Sequence, residues 1–179
     1  MTRINPLGVV RIQDAIEFSV RQHKHQYRRK TGVPYVIHPL EVVKQIAIWG
    51  VRPRDNQDLW IAAILHDVLE DCVCDPKEIS DNFGVTVLDL VLELTHFSGQ
   101  SKEDYLKSFR DKSPQANLIK VADRVCNLRD FALSDPKHEK GYYIKSRPFF
   151  EAFAANREAI TRAFGKDVYD QAYKAIYSI

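Results

Sequence analysis

Apolar residues recur along the chain at spacings of three and four, the period of an amphipathic helix, and no run alternates as a strand does. The pattern predicts a first helix from about Leu7 to Tyr27, with Val9, Ile12, Ile16 and Val20 on one stripe. A second begins after Pro39, carries Val42, Val43, Ile46 and Ala47, and stops near Gly50. Asp55 and Asp58 mark the negatively charged start of a third. Shorter helices follow from Pro76 to Phe83, from Val85 to Thr95 and from Lys102 to Arg110. Ser113-Pro114, a cap followed by an N1 proline, opens a helix reaching about Asp130. Two more close the chain, from about Arg147 to Phe164 and from Lys166 to Tyr177. The expected fold is all-α, one helical domain over residues 1–179 with about eight to ten helices.

Two helices break the ordinary separation of apolar and polar faces. In the third, Ile61, Ile64, Leu65, Val68 and Leu69 form one stripe, while Leu59, Trp60, Ala62 and Ala63 make the opposite face apolar too. Such a helix is buried, yet it carries His66, Asp67, Glu70 and Asp71, all expected to project from the same side. Burying one imidazole and three carboxylates is costly unless a cation or basic side chains compensate, or the helix surfaces at its end. Carboxylates at a helix C-terminus also oppose the dipole, so a purely structural role has a poor rationale. In the helix after Pro114, Asp123, Asn127 and Asp130 form a narrow polar line beside a stripe of Leu118, Val121, Ala122 and Val125. Alone, such a line is usually a solvated face. His38, between Ile37 and Pro39, reads alone as a surface or cap residue.

Composition narrows the function classes. The formal net charge of +2 disfavours a dedicated nucleic-acid binder. The longest charge-free apolar run near the middle, Leu59 to Leu65, is far short of the roughly 20 residues of a membrane span. Arg3, Asn5 and Pro6 precede an interrupted apolar stretch, so no secretory leader is expected. Cys72, Cys74 and Cys126 read as reduced thiols of a cytoplasmic protein. Neither glycine-rich nucleotide loop occurs.

Four residues on separate segments, His38, the His66-Asp67 pair and Asp123, resemble the ligand pattern of the HD phosphohydrolase superfamily. The text around them is more specific. Arg29-Lys30-Thr31-Gly32-Val33-Pro34-Tyr35-Val36-Ile37-His38-Pro39 resembles a signature of the alarmone hydrolases. So do Ala63-Ile64-Leu65-His66-Asp67-Val68-Leu69-Glu70-Asp71 and the segment from Leu118 to Arg129. In that order they resemble the RelA/SpoT homologue family, and among its members the single-domain small alarmone hydrolases.

The resemblance implies an HD-type bundle holding Mn²⁺ through His38, His66, Asp67 and Asp123, with Glu70 and Asp71 positioning and deprotonating the attacking water. It further implies that Arg29 stacks on guanine while Lys30 and Asn127 contact the substrate, ppGpp or pppGpp, which is cleaved to GDP or GTP plus pyrophosphate. The ligand types alone leave Fe and Zn open. Two alternatives stand beside this one: the same machinery acting on another nucleotide, such as the 2′-phosphate of NADPH, or a non-catalytic alarmone-binding module. Asp130 has no expected role, and the oligomeric state is open.

Overall fold

A computed structural model describes residues 9–178, and among these every regular element is helical. They run α1 (Val9–Gln22), α2 (Ile37–Ile48), α3 (Gln57–Leu65), α4 (Val68–Asp71), α5 (Pro76–Phe83) and α6 (Val85–Leu94). After these come α7 (Lys102–Lys107), a 3₁₀ turn (Ser108–Asp111), α8 (Pro114–Ser134), α9 (Pro136–Ala155), α10 (Arg157–Phe164) and α11 (Lys166–Ile176). The predicted start at Leu7, the Val9 side chain and the residues Arg3, Asn5 and Pro6 lie outside the described part. The all-α expectation holds. No described helix is long and apolar enough to cross a membrane.

α8 is the axis of the molecule and packs on α2, α3, α6, α9, α10 and α11. Its apolar stripe is buried as expected, with Leu118, Ile119, Val121, Ala122 and Val125 all at 0% exposure. At roughly 1.5–3 kcal/mol per large apolar side chain, that stripe anchors the helix against its neighbours. Ser113 caps it by accepting from Ala116 N–H at 3.1 Å, with Pro114 in the first turn. α3 is buried on every side from Leu59 through Leu65 apart from Trp60. Trp60 is only partly buried, and its indole donates to Val51 O at 3.3 Å.

Several boundaries differ from the sequence reading. α1 ends at Gln22, and Val20 is exposed, while Ala15, Phe18 and Ser19 face inward beside the partly buried Ile12 and Ile16. α2 begins at Ile37, so His38 sits in its first turn, 1% exposed and no surface residue. The helix expected from Arg147 starts at Pro136 instead, capped by Asp135, and runs through Pro148 to Ala155. Phe149, Phe150 and Phe153 are buried just beyond Pro148, and their burial offsets the backbone hydrogen bond the proline removes. Asn156 then separates α9 from α10, its side chain donating to Phe109 O at 2.8 Å.

Candidate metal centre and substrate pocket

The helix read as continuous through Asp71 breaks at His66–Asp67. Asp67 adopts φ −101°, ψ −3°, in the sparsely allowed bridge region, between the end of α3 and the single turn of α4. The break spreads the four polar residues in different directions, correcting the expectation of one shared side. His66 and Asp67 turn inward toward His38 of α2 and Asp123 of α8. Glu70 points to the loop after α6, where it accepts from His96 N–H at 3.1 Å and pairs with Lys102 Nζ at 3.3 Å. Asp71 faces a surface pocket.

The inward group is tight and dry. His38, His66 and Asp123 are 1%, 0% and 4% exposed, and one ligand atom from each lies within 4.8 Å of the others. His38 Nε2 is 3.1 Å from Asp123 Oδ1, and His66 Nε2 is 3.0 Å from Asp67 Oδ2. The other two imidazole–carboxylate pairs, His38 to Asp67 and His66 to Asp123, are 3.9 and 4.0 Å apart. Ligands on an octahedron with bonds of about 2.1 Å are about 3 Å apart when adjacent and about 4.2 Å apart when opposite. His38, His66 and Asp123 therefore stand near the spacing a single divalent ion requires, and Asp67 flanks them beside His66, outside that compact group. His66 Nδ1–H donates to Ala63 O at 2.9 Å, which leaves its Nε2 as the lone-pair nitrogen. That Nε2 is fully buried and has no hydrogen-bond partner of proper geometry. The donor set fits a divalent metal.

The electrostatics agree. Burial opposes the ionisation of Asp67, but His66 beside it holds the carboxyl well below the usual range. Burial likewise resists charge on His66, and Asp67 overrides it, holding the imidazole up to about 9. Asp123 is kept ionised against burial chiefly by Lys120 Nζ, 2.9 Å from its Oδ2. Lys120 thus supplies buried positive charge that these carboxylates demand. Tyr35 donates to Asp67 Oδ2 at 2.7 Å, and its hydroxyl is pushed far above its ordinary value by burial and by that carboxylate.

Beside this centre lies a cavity of about 450 Å³ walled by Tyr27, Arg28, Arg29, Lys30, Tyr35, Asp71 and Asp130 among others. The basic run is held in a tight turn: Arg28 N–H donates to Val33 O at 2.8 Å and Tyr35 N–H to Gln26 O at 2.9 Å. Gly32 closes the turn at φ +67°, a conformation that favours glycine. Arg29 and Lys30 thus share a wall with Asp71, and Lys30 pairs with Asp135 at 3.1 Å. Asp71 has a raised pKa, first from partial burial of its carboxyl and next from Asp67. Asn127 lies between the two regions, donating to Asp123 Oδ1 at 2.5 Å.

Residues 15–161 match the HD domain family. The human protein MESH1, a guanosine-3′,5′-bis(diphosphate) 3′-pyrophosphohydrolase, is 31% identical over 131 residues, covering 69% of this chain and 71% of its own length. The chain belongs to the HD domain family, in its RelA/SpoT homologue group. The Aquifex aeolicus guanosine-3′,5′-bis(diphosphate) 3′-pyrophosphohydrolase is 37% identical over 131 residues, 69% of this HD chain. The match covers only 18% of that bacterial relative, and one from Spiroplasma citri is covered over 22%. Among solved structures, a metazoan ortholog of SpoT that hydrolyzes ppGpp superimposes with a TM-score of 0.75 at 21% identity, over 97% of both chains. That likeness confirms the HD fold.

Some residues of this HD site were not singled out by sequence reasoning. Tyr35 and Lys120 each contact a carboxylate of the cluster, and Arg124 lies 4.9 Å over the Tyr142 ring, 5% exposed. Lys120 and Arg124 did leave a signal: two basic residues one turn apart on a helix flank otherwise filled with Leu, Val and Ala.

Proposed function

We propose that this chain is a Mn²⁺-dependent (p)ppGpp 3′-pyrophosphohydrolase that acts in the cytoplasm on the free nucleotide. The observation that carries the reading is the dry His/Asp cluster lying beside a pocket that has basic residues and Asp71 on the same wall. The relatives' activities support the choice of substrate. His38, His66 and Asp123 would hold the ion as the compact cluster, with Asp67 completing the set from beside His66. When bound, Mn²⁺ supplies Lewis acidity, acidifying water and neutralising charge at the phosphorus.

Asp71 accepts the proton of the attacking water from the pocket wall, a role suited to a carboxylate whose pKa is raised. Glu70, steadied by His96 N–H and Lys102, orients that water from the other side. The water oxygen bonds to the phosphorus on O3′, the P–O3′ bond breaks, and O3′ leaves with a proton. Arg29 stacks on the guanine, and Lys30 exchanges its partner Asp135 for a substrate phosphate.

Incubating the folded protein with ppGpp and Mn²⁺ is expected to release pyrophosphate and GDP in equal amounts, and EDTA to stop the reaction. No turnover with metal present overturns the proposal. Release of phosphate from NADPH with ppGpp untouched moves the substrate to an adenosine nucleotide. Binding of ppGpp without turnover makes the chain an alarmone-binding module.

A further inference from the structure

Arg28 opens the basic run, but its guanidinium is already engaged by the protein. Nη1 and Nη2 each donate to Asn127 Oδ1 at 3.1 Å, and Nη2 also donates to Asp130 Oδ2 at 2.6 Å. The side chain is 14% exposed and joins the loop after α1 to a residue about a hundred positions away on α8. Asn127 passes the contact on, its Nδ2 donating to Asp123 Oδ1. That oxygen is also the atom facing His38 Nε2 at 3.1 Å.

The direction of this chain is fixed. A guanidinium only donates and a carboxylate only accepts, so the amide between them must turn its oxygen to Arg28 and its NH₂ to Asp123. We infer that Arg28 is a positioning residue for the metal ligand Asp123, acting through the Asn127 amide, and is not a phosphate contact; this rests on the metal centre proposed above. Asp130, without a role in the sequence reading, holds the far edge of the same guanidinium and so keeps the fork aimed at Asn127. Take Arg28 away and the part-buried amide oxygen loses its guanidinium partner, the amide is free to rotate, and Asp123 loses the donor that fixes its Oδ1. Partners one layer behind a metal ligand typically change metal affinity by about 10–100-fold.

The test is a calorimetric titration of metal-free protein with Mn²⁺, run on the unsubstituted chain, Arg28→Ala, Arg28→Lys, Asp130→Asn and Arg29→Ala. The thermal midpoint of each metal-free protein reports any purely structural loss. Arg28→Ala is expected to raise the Mn²⁺ Kd about tenfold or more with the metal-free midpoint little changed. Arg28→Lys keeps the charge but not the fork and is expected to recover only part of the affinity. Asp130→Asn, which leaves Arg28 in place, is expected to weaken Mn²⁺ less than Arg28→Ala, and Arg29→Ala to leave it alone. Should Arg28→Ala not fold, Arg28→Lys and Asp130→Asn carry the test. An unchanged Kd with KM for ppGpp raised at saturating Mn²⁺ overturns the inference and makes Arg28 a substrate contact. No Mn²⁺ binding by the unsubstituted chain overturns this inference and the metal reading together.

Discussion

Asp71 and Glu70 are neighbours in sequence with different surroundings, and the difference is testable one residue at a time. Asp71 accepts a proton only when ionised, and its pKa is raised by burial and by Asp67. Activity is therefore expected to climb with pH through a limb above the ordinary aspartate value of about 3.9. Asp71→Asn should cut kcat by roughly 10²–10⁴ and abolish that limb, the usual scale for losing a general base. Glu70→Gln, which keeps the hydrogen bond from His96 N–H, should cost less and leave the limb where it is. Equal losses with an unmoved limb in both variants would reject the division of labour. Lys112 offers a second residue-scale test, this time of stability. Half-buried over the rings of Tyr105 and Phe109, its ammonium is pushed down to about 8, by burial first and by Lys120 next. Between that value and the unfolded one near 10.4, the unfolded chain binds the extra proton, so stability rises with pH across that window. Below it the cost of the buried charge is fully present. Chemical denaturation of Lys112→Met and of the unsubstituted chain between pH 8 and 10 should show a smaller rise for the variant. Parallel curves would count against the assignment.

At the scale of elements, what was legible followed from local periodicity, and what was not followed from contacts distant in sequence. α5 and α8 start where caps and prolines announce them, as Asp75 does for α5 through a capping box with Glu78. The end of α1 was not legible, because the residues after Gln22 are as polar as a solvated helix end. They turn away because Gln26 and Arg28 pair with Tyr35 and Val33 across the loop. The interruption of α3 was hidden by an unbroken apolar stripe. It exists because Asp67 leaves helical geometry where His38 and His66 draw its carboxylate in. α9 begins at Pro136 and not near Arg147, and the local cost of Pro148 inside it is offset by aromatic burial. That His38, His66 and Asp123 converge was legible through motif order, while the contacts of Arg28 and Tyr35 were not, their partners being set by how α8 and α4 pack. The loop holding Arg29 and Lys30 makes its own prediction. Gly32 lies at φ +67° with nothing within 4 Å of an added Cβ, so Gly32→Ala meets strain and no clash. The expected cost is about 1 kcal/mol, with KM for ppGpp raised and the Mn²⁺ Kd unchanged. A lowered metal affinity would show that the turn also shapes the metal centre.

For the whole molecule, the four donors come from the first turn of α2, the α3–α4 break and the middle of α8. An ion among them joins three elements that otherwise meet through side-chain packing, and the unfolded chain offers no such cluster. Binding to the native state alone stabilises by RT ln(1 + [Mn²⁺]/Kd), about 2.7 kcal/mol at a hundredfold excess over Kd. For a chain of 179 residues this corresponds to a rise of roughly 5–10 °C in Tm. Asp123→Asn removes a donor charge and leaves Lys120 without its carboxylate, so it should lower metal-free stability and nearly erase the Mn²⁺ increment together. Asp71→Asn, from the pocket wall, should lose activity while keeping the increment in full. Scanning calorimetry of the three proteins with Mn²⁺ and with EDTA separates these outcomes. An increment that survives Asp123→Asn would mean that the ion binds elsewhere on the molecule, and the assignment of the buried cluster as the metal centre would fall.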